Sequence, residues 1–260
     1  MTKMRKIKKI RDRQPERTPM PVQEPAARVR NFNEVASGYT EADALREAER
    51  CLMCPKAKCV DACPVSIDIP GFIDRILEHD YRGAWEVVTD ANLMPAVCGR
   101  VCPQEDQCEG VCVVGKKLAP VAVGRLERWV GDMAVNGGWT ADTRIEPNGK
   151  KVGIVGSGPA GIACAADLAK AGCEVTVFEA LHKPGGVLRY GIPEFRLPDC
   201  VIDAEIENLK RLGVKVECNT LVGRLFTIEQ MRGEMGFDAV FIGTGAGTPR
   251  FMGIDGEYLN

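Results

Sequence analysis

Apolar positions recur at helical spacing through the first half of the chain and in strand-length runs through the second. From Thr40 onward Leu45, Ala48 and Leu52 share one helical face, and Thr40 with Asp43 three positions later forms a capping pair. This predicted helix delivers Cys51 and Cys54 at its end. Pro70 opens a second helix carrying Phe72, Ile73, Ile76 and Leu77, and Asp80 caps a third carrying Ala84, Trp85, Val87 and Val88. The stretch after it reads as irregular until Pro120 opens a longer helix, with Val123, Leu126, Val130, Met133 and Ala134 on one side. Gly137-Gly138 and the polar run to Asn148-Gly149 read as a linker.

Beyond the linker the period changes. Lys151 to Val155 is a short apolar strand, a glycine-rich turn leads into an alanine-rich helix ending near Gly172, and Glu174 to Glu179 is the next strand. A helix from Pro198 to Leu212, a strand over 214–218, a short helix near Ile228 and a strand over 237–245 extend a parallel-sheet pattern. Between the second strand and the Pro198 helix lies a long glycine-rich loop. Its apolar Val187, Leu188, Ile192 and Phe195 would be wasted in water. The organisation is therefore an arm over 1–39, a helical domain over 40–136, a linker over 137–149 and an α/β domain over 150–260.

The arm carries Lys3, Arg5, Lys6, Lys8, Lys9, Arg11 and Arg13, then Pro15, Pro19, Pro21 and Pro25. A solvated, extended tail, or a strap on a partner subunit, is expected. Nucleic-acid binding would need aromatics or a recognition fold beside those charges, and neither is present. No run approaches the roughly eighteen apolar residues of a membrane span. No apolar core follows the basic start as in a secretory signal. Twelve cysteines in such a chain indicate metal or redox chemistry in the cytoplasm.

Eight of the twelve cysteines fall in two runs, Cys51, Cys54, Cys59 and Cys63 before Pro64, and Cys98, Cys102, Cys108 and Cys112. Cysteines that merely fill a core scatter, whereas short fixed gaps bring thiolates onto one centre. Disulfides need an oxidising compartment. Structural zinc suits CxxC spacing, but these gaps are too crowded for two separated knuckles, and His79 and His182 are remote in sequence. Bacterial ferredoxins use Cys-x2-Cys-x2-Cys-x3-Cys-Pro, whose last cysteine crosses to the other cluster. The first run differs from that pattern only by two extra residues in its middle gap. Two 4Fe-4S clusters sharing ligands between the runs are expected.

The turn after the first strand reads Gly156-Ser157-Gly158-Pro159-Ala160-Gly161, the βαβ dinucleotide fingerprint in its proper context. Gly156 makes the turn, Gly158 lets backbone approach a pyrophosphate, and Gly161 lets the helix pack closely. The pyrophosphate is expected at the helix N-terminus, and Glu179, at the end of the second strand, can accept hydrogen bonds from a ribose. The fingerprint alone does not separate FAD from NAD. Gly185, Gly186, Leu188, Gly191 and Arg196 of the long loop, and Gly243, Thr244 and Gly245 after the last strand, are further candidate cofactor contacts. Cys164, Cys173, Cys200 and Cys218 stand outside any CxxC pair and read as small packed residues.

Together the two cysteine runs, VGIVGSGPAG, GGVLRYGIPEFRLP and FIGTGA resemble the small subunit of NADPH-dependent glutamate synthase. They are equally similar to the large subunit of NADH-dependent ferredoxin:NADP oxidoreductase and to the N-terminal part of dihydropyrimidine dehydrogenase. The resemblance covers residues 30–260. It implies an α-helical ferredoxin domain with two clusters followed by a Rossmann-like FAD domain, in a chain that passes electrons from NADPH or NADH through FAD and the clusters to a partner. That partner would be the glutamate synthase large subunit or a ferredoxin-type protein. The resemblance gives one cluster Cys51, Cys54, Cys59 and Cys112, and the other Cys63, Cys102 and Cys108. The remaining ligand is Glu127, where relatives have Gln or Glu, or else Cys98; Cys98 is expected to be a free buried thiol. No catalytic acid, base or nucleophile is implied. Relatives continue into an NADPH-binding fold and a returning flavin segment, so the chain is expected to be an N-terminal fragment or half of a split gene, truncated before its NADPH site; the alternatives are a sulfide dehydrogenase subunit and a truncated, non-enzymatic iron–sulfur electron-transfer module.

Overall fold

The structure is a computed structural model that describes residues 13–140, 145–247 and 251–257. The basic residues from Lys3 to Arg11 and residues 141–144 of the expected linker lie outside it. The chain divides into two compact units. One comprises the residues up to Arg144 together with Ile192–Leu212; the other comprises Ile145–Gly191 and the residues from Gly213 onward.

In the first unit, a helical turn α1 (Pro25–Arg28) precedes α2 (Glu41–Ala48), α3 (Lys58–Asp61), α4 (Ile69–Leu77), α5 (Tyr81–Ala91), α6 (Pro95–Val101) and α7 (Val123–Gly137). Local chemistry sets the boundaries. Thr40 and Asp43 form the expected capping box on α2, Asp68 and Asp80 each accept a backbone N–H at the starts of α4 and α5, and Gly138 ends α7 in a left-handed conformation. Phe72, Ile73 and Ile76 of α4, Trp85 and Val88 of α5, and Leu126, Trp129 and Val130 of α7 meet in one core.

Two expectations change here. The stretch after α5 contains a helix, α6, initiated by Pro95, and it carries Cys98; seven residues are too few to show a helical period. The long helix begins at Val123, three residues beyond the expected Pro120, because Pro120 and Ala119 give their carbonyls to the Arg50 guanidinium.

The arm is not a free tail. Thr18 is fully buried, its N–H donates to Glu47, and its carbonyl accepts from the Tyr39 hydroxyl. The carbonyls of Gln14 and Pro15 accept from Arg50. Most arm side chains are exposed, so these backbone contacts leave no hydrophobic period in the sequence. Farther along, Glu34 joins Arg100 of α6 and Arg128 and Asp132 of α7 in a network of ion pairs.

The segment returning to this unit is α10 (Asp199–Arg211), which places Glu205 beside the backbone N–H of Ala96. Of the loop residues expected to be apolar contacts, Leu188 is buried while Val187 and Phe195 are exposed.

The second unit is a four-stranded parallel sheet in the order β3-β2-β1-β4, from β1 (Lys151–Val155), β2 (Glu174–Phe178), β3 (Lys215–Glu217) and β4 (Ala239–Ile242). Helices α8 (Pro159–Lys170) and α11 (Ile228–Gly233) cover it, with a short α9 (Val187–Tyr190) in the long loop. Phe178, Met231 and Phe237 pack on one another beneath the sheet. Among the four later cysteines Cys200 is exposed, contrary to the packed reading, because it lies on the open side of α10. Among the described residues no helix is long and apolar enough to cross a membrane.

Glu205 makes a pH prediction. Burial raises its carboxyl to about 7, with Asp132 adding to the effect and Asn208, Ala96 and Arg100 opposing it. Between the unfolded value near 4.5 and about 7 the folded chain holds a proton that the unfolded chain releases, so this group's contribution to stability falls as pH rises. Glu205→Gln removes that loss. Denaturant unfolding should show the variant gaining on the wild type from pH 5 to pH 8, by on the order of 2 kcal/mol.

Candidate functional site

The thiols of the first run lie where helices stop. Cys51 and Cys54 follow the end of α2 rather than sitting in it, and Cys59 lies in the short α3. Met53, between the first two, adopts a left-handed φ of 51° and directs its N–H to the Cys51 sulfur. That conformation costs a non-glycine residue on the order of 1 kcal/mol or more. Cys112, the last cysteine of the second run, closes the ring. Cys51, Cys54, Cys59 and Cys112 together line an apolar cup completed by Ile69, Ile73, Val114, Val121 and Val123.

Electrostatics in the cup are unfavourable to protein alone. Burial pushes the Cys51 thiol up to about 12, and Cys59, Cys112 and Cys54 push in the same direction. Cys59 rises to about 11 from burial and from Cys112, and Cys54 is raised by the same two causes. Three thiols raised in this way, with Cys112 beside them, form a donor set suited to cations. Among the described residues no three His, Cys, Asp or Glu side chains crowd as ligands of a single ion do. A ring of thiols around a space fits a polynuclear group such as an iron–sulfur cluster, whose ligation by four cysteines it matches.

A second set gathers where α6 crosses α7. Burial raises Cys108 to about 12, with Glu109, Glu127 and Cys63 acting in the same direction. Cys98 donates to Cys102, which raises the first thiol and lowers the second. Glu127, buried on α7, is raised to about 8 by burial and then by Cys102, against a hydrogen bond from Asn92. Cys108 thus lies within electrostatic reach of Cys63 and Glu127, and Glu127 within reach of Cys102 and Cys98. Asn92 went unnoticed in the sequence, where an isolated Asn after a helix is an ordinary terminator. No disulfide joins any of the twelve cysteines.

In the second unit the strand ends open a cleft of about 360 Å³. Gly156, Ser157, Gly158, Pro159, Ala160, Glu179, Gly186, Gly243, Thr244 and Gly245 line it with Val187 of the long loop, as do Phe178, Leu181 and Thr220–Val222, which the sequence did not single out. The glycines divide the work. A Cβ on Gly161 would lie 1.9 Å from the Gly156 carbonyl oxygen, so α8 can approach β1 only without one. A Cβ on Gly158 would meet no atom within 4 Å and would project into open space at the helix N-terminus. That is the cradle a pyrophosphate requires.

Glu179 is only 6% exposed. Its carboxylate accepts from the Ser157 N–H at 2.9 Å, the Ser157 hydroxyl and the Leu181 N–H at 2.8 Å. Gly185 supports the turn by donating to Ser157, and Leu188 is buried behind it. Gly191 ends α9, and Arg196 falls in the first unit, where it is exposed.

The fold and these sites define a class: a helical 4Fe-4S domain joined to a Rossmann-like dinucleotide-binding unit. Residues 28–139 match the family described as "Dihydroprymidine dehydrogenase domain II, 4Fe-4S cluster", and residues 154–214 match the NAD(P)-binding Rossmann-like domain. The NAD-dependent dihydropyrimidine dehydrogenase subunit PreT of Escherichia coli is 40% identical over 87% of this chain and 55% of its own length. The glutamate synthase [NADPH] small chain is 36% identical in E. coli, over 87% of this chain and 48% of its own length. In Halomonas elongata it is 37% identical, over 92% and 51%. The chain is a homologue of the glutamate synthase small chain and of PreT, and it spans about half the length of these relatives.

The second thiol set depends on how closely α6 approaches α7. A Cβ on Gly99 would sit 2.3 Å from the Arg128 backbone nitrogen, next to Glu127. Alanine is worth about 1 kcal/mol over glycine in a helix, but overpacking against backbone costs about 1–3 kcal/mol. Gly99→Ala should therefore lower denaturant stability and reduce bound iron, both measurable on the purified chain.

Proposed function

We propose that this chain is the cofactor-carrying part of an electron-transfer subunit in an NAD(P)H-dependent oxidoreductase of the glutamate synthase small-chain type. It would carry two 4Fe-4S clusters and FAD, and pass electrons to a partner oxidoreductase subunit. The observation that carries the reading is the first thiol ring. Three of its members come from one cysteine run and the fourth, Cys112, from the end of the other, which is the crossover two-cluster ferredoxins use. Cys51, Cys54, Cys59 and Cys112 would hold one cluster, and Cys63, Cys102, Cys108 and Glu127 the other. FAD would lie along the glycine turn, with its pyrophosphate at the N-terminus of α8 and its ribose toward Glu179.

When bound, a flavin accepts a hydride's two electrons and releases them singly, and clusters carry one electron at a time. The protein's own part is to orient and insulate. Ile69, Ile73, Val114, Val121 and Val123 keep water from the first ring, and the Met53 N–H, aimed at sulfur, favours the ionised Cys51. The Ser157–Glu179 contacts hold the turn in the shape a pyrophosphate would meet.

A second reading, a subunit of a dihydropyrimidine dehydrogenase, is favoured by the 40% identity to PreT. Reconstitution with candidate partner subunits separates the two by product, glutamate or a reduced pyrimidine. The test of the shared part is the anaerobic absorption spectrum of the purified chain, read with its iron, labile sulfide, zinc and flavin contents. About eight irons and eight sulfides per chain, with FAD, are expected. Zinc without labile sulfide would overturn the assignment.

A further inference from the structure

In the first unit, residues 21–37 form a closed loop. Val22 pairs with Ala36 in an antiparallel bridge, flanked by the Gln23 N–H on the Val35 carbonyl and the Ser37 N–H on the Pro21 carbonyl, both at 2.8 Å. Inside the loop the Gln23 amide donates to the carbonyls of Asn33 at 3.1 Å and Glu34 at 2.9 Å. The Asn31 amide donates to Gln23 Oε1 at 3.0 Å and to the Ala27 carbonyl at 2.9 Å. Glu34 ties the loop to Arg100 and Arg128. The polar side chains that hold the loop together are turned inward, and the large apolar ones are left outside: Val29 is 78% exposed and Phe32 76%. The Val35 N–H donates to the Phe195 carbonyl at 2.9 Å, which sets Phe195 beside them. Val29, Phe32, Val35 and Phe195 line a concavity of about 560 Å³ together with Arg28, Arg30 and Asn31. Among the described residues no carboxylate lines it, and neither guanidinium is ion-paired.

We infer that this concavity docks an acidic segment of another protein, anchored by an aliphatic or aromatic side chain. Apolar surface held outward on a hydrogen-bonded loop adds nothing to the core, and covering it orders little that is not already ordered. The two arginines set the sign of the occupant, because carboxylates beside the anchor would meet planar guanidinium groups able to bind them in pairs. The same charges disfavour two occupants from this chain. Its basic start, Lys3 to Arg13, has the arginines' sign, and a two-fold contact between copies would set Arg28 and Arg30 against their own equivalents. A lipid surface suits apolar side chains on a projecting tip, whereas these line a concavity. None of the groove's residues belongs to either cysteine set, so the inference goes beyond the electron-transfer reading and stands or falls without it.

The test is fluorescence anisotropy of a labelled peptide in which pairs of Glu alternate with Leu-Phe, titrated with the full chain, against the same peptide with Lys in place of Glu. The acidic peptide should bind and the lysine peptide should not. Raising NaCl from about 50 mM to about 500 mM should weaken binding about tenfold. Phe32→Ser should weaken it by about tenfold or more while leaving iron content and thermal unfolding unchanged, because Phe32 lies outside the core. Arg28→Glu combined with Arg30→Glu should lose the acidic peptide and gain the lysine one, a reversal that a misfolded loop does not produce. No binding of the acidic peptide, equal binding of both peptides, or an affinity that Phe32→Ser leaves unchanged would overturn the proposal. Two other occupants would also displace it: a second copy, if the chain self-associates in sedimentation and Phe32→Ser abolishes this, and a lipid surface, if phosphatidylglycerol vesicles bind the chain more tightly than the peptide does.

Discussion

The buried pair of Glu47 and Arg50 is the contact on which the first unit turns. Both side chains are almost wholly excluded from water, with Arg50 Nη1 2.6 Å from the Glu47 carboxylate. An isolated charge at such a place would cost several kcal/mol, so every remaining donor and acceptor must be used. They are used on two other stretches of chain. Glu47 takes the N–H groups of Thr18 and Ala122, and Arg50 donates to the carbonyls of Gln14, Pro15, Ala119 and Pro120. Arg50 immediately precedes Cys51, and Ala122 caps α7. One ion pair thereby fixes the exit of α2 toward the first thiol ring and the entry of the helix that carries Glu127. It also binds down the arm.

A neighbouring pair repeats the device at lower burial. Arg17 donates to the carboxylate of Glu109 and to the Pro120 carbonyl, and Glu109 accepts the N–H of Gly124 in the first turn of α7. Glu109 follows Cys108 directly. The polar groups adjoining the cysteines thus hold the loops between helices, where regular backbone hydrogen bonding is not available to do so. This is why cysteine runs with little secondary structure of their own can still present thiols in a set arrangement.

These contacts also mark what could be read from the chain alone. Thr40 and Asp80 announce helix starts because a cap is a local event within four residues, and the glycine turn is legible because β1, α8 and β2 adjoin it in sequence. The two cysteine runs were legible by spacing. The arm was not, since its anchors are backbone atoms meeting Glu47 and Arg50 about thirty residues away, and a charged residue in a helical stretch ordinarily reads as solvated. Asn92 was illegible for the same reason: its partner Glu127 lies 35 positions on. Glu179 was expected with its carboxylate turned toward a ribose, and it does line the cleft. That Ser157 and Leu181 already hold it depends on a turn geometry that a motif names without specifying.

The two units also illustrate opposite ways of preparing a site from a chain of nearly neutral charge. In the first, potentially anionic groups are gathered under apolar cover, where burial holds Cys51, Cys54, Cys59, Cys108 and Glu127 back from ionisation. In the second, among the described residues no cationic side chain lines the cleft at the glycine turn, and the attraction for an anion comes from backbone N–H groups and the dipole of α8. The difference governs how each tolerates change. A thiol ring loses its function with any one member, because charge compensation is shared among all of them. A backbone cradle survives most side-chain substitutions and fails where a Cβ intrudes, so Gly158 and Gly161 constrain the second unit through the atoms they lack, as Gly99 constrains the first.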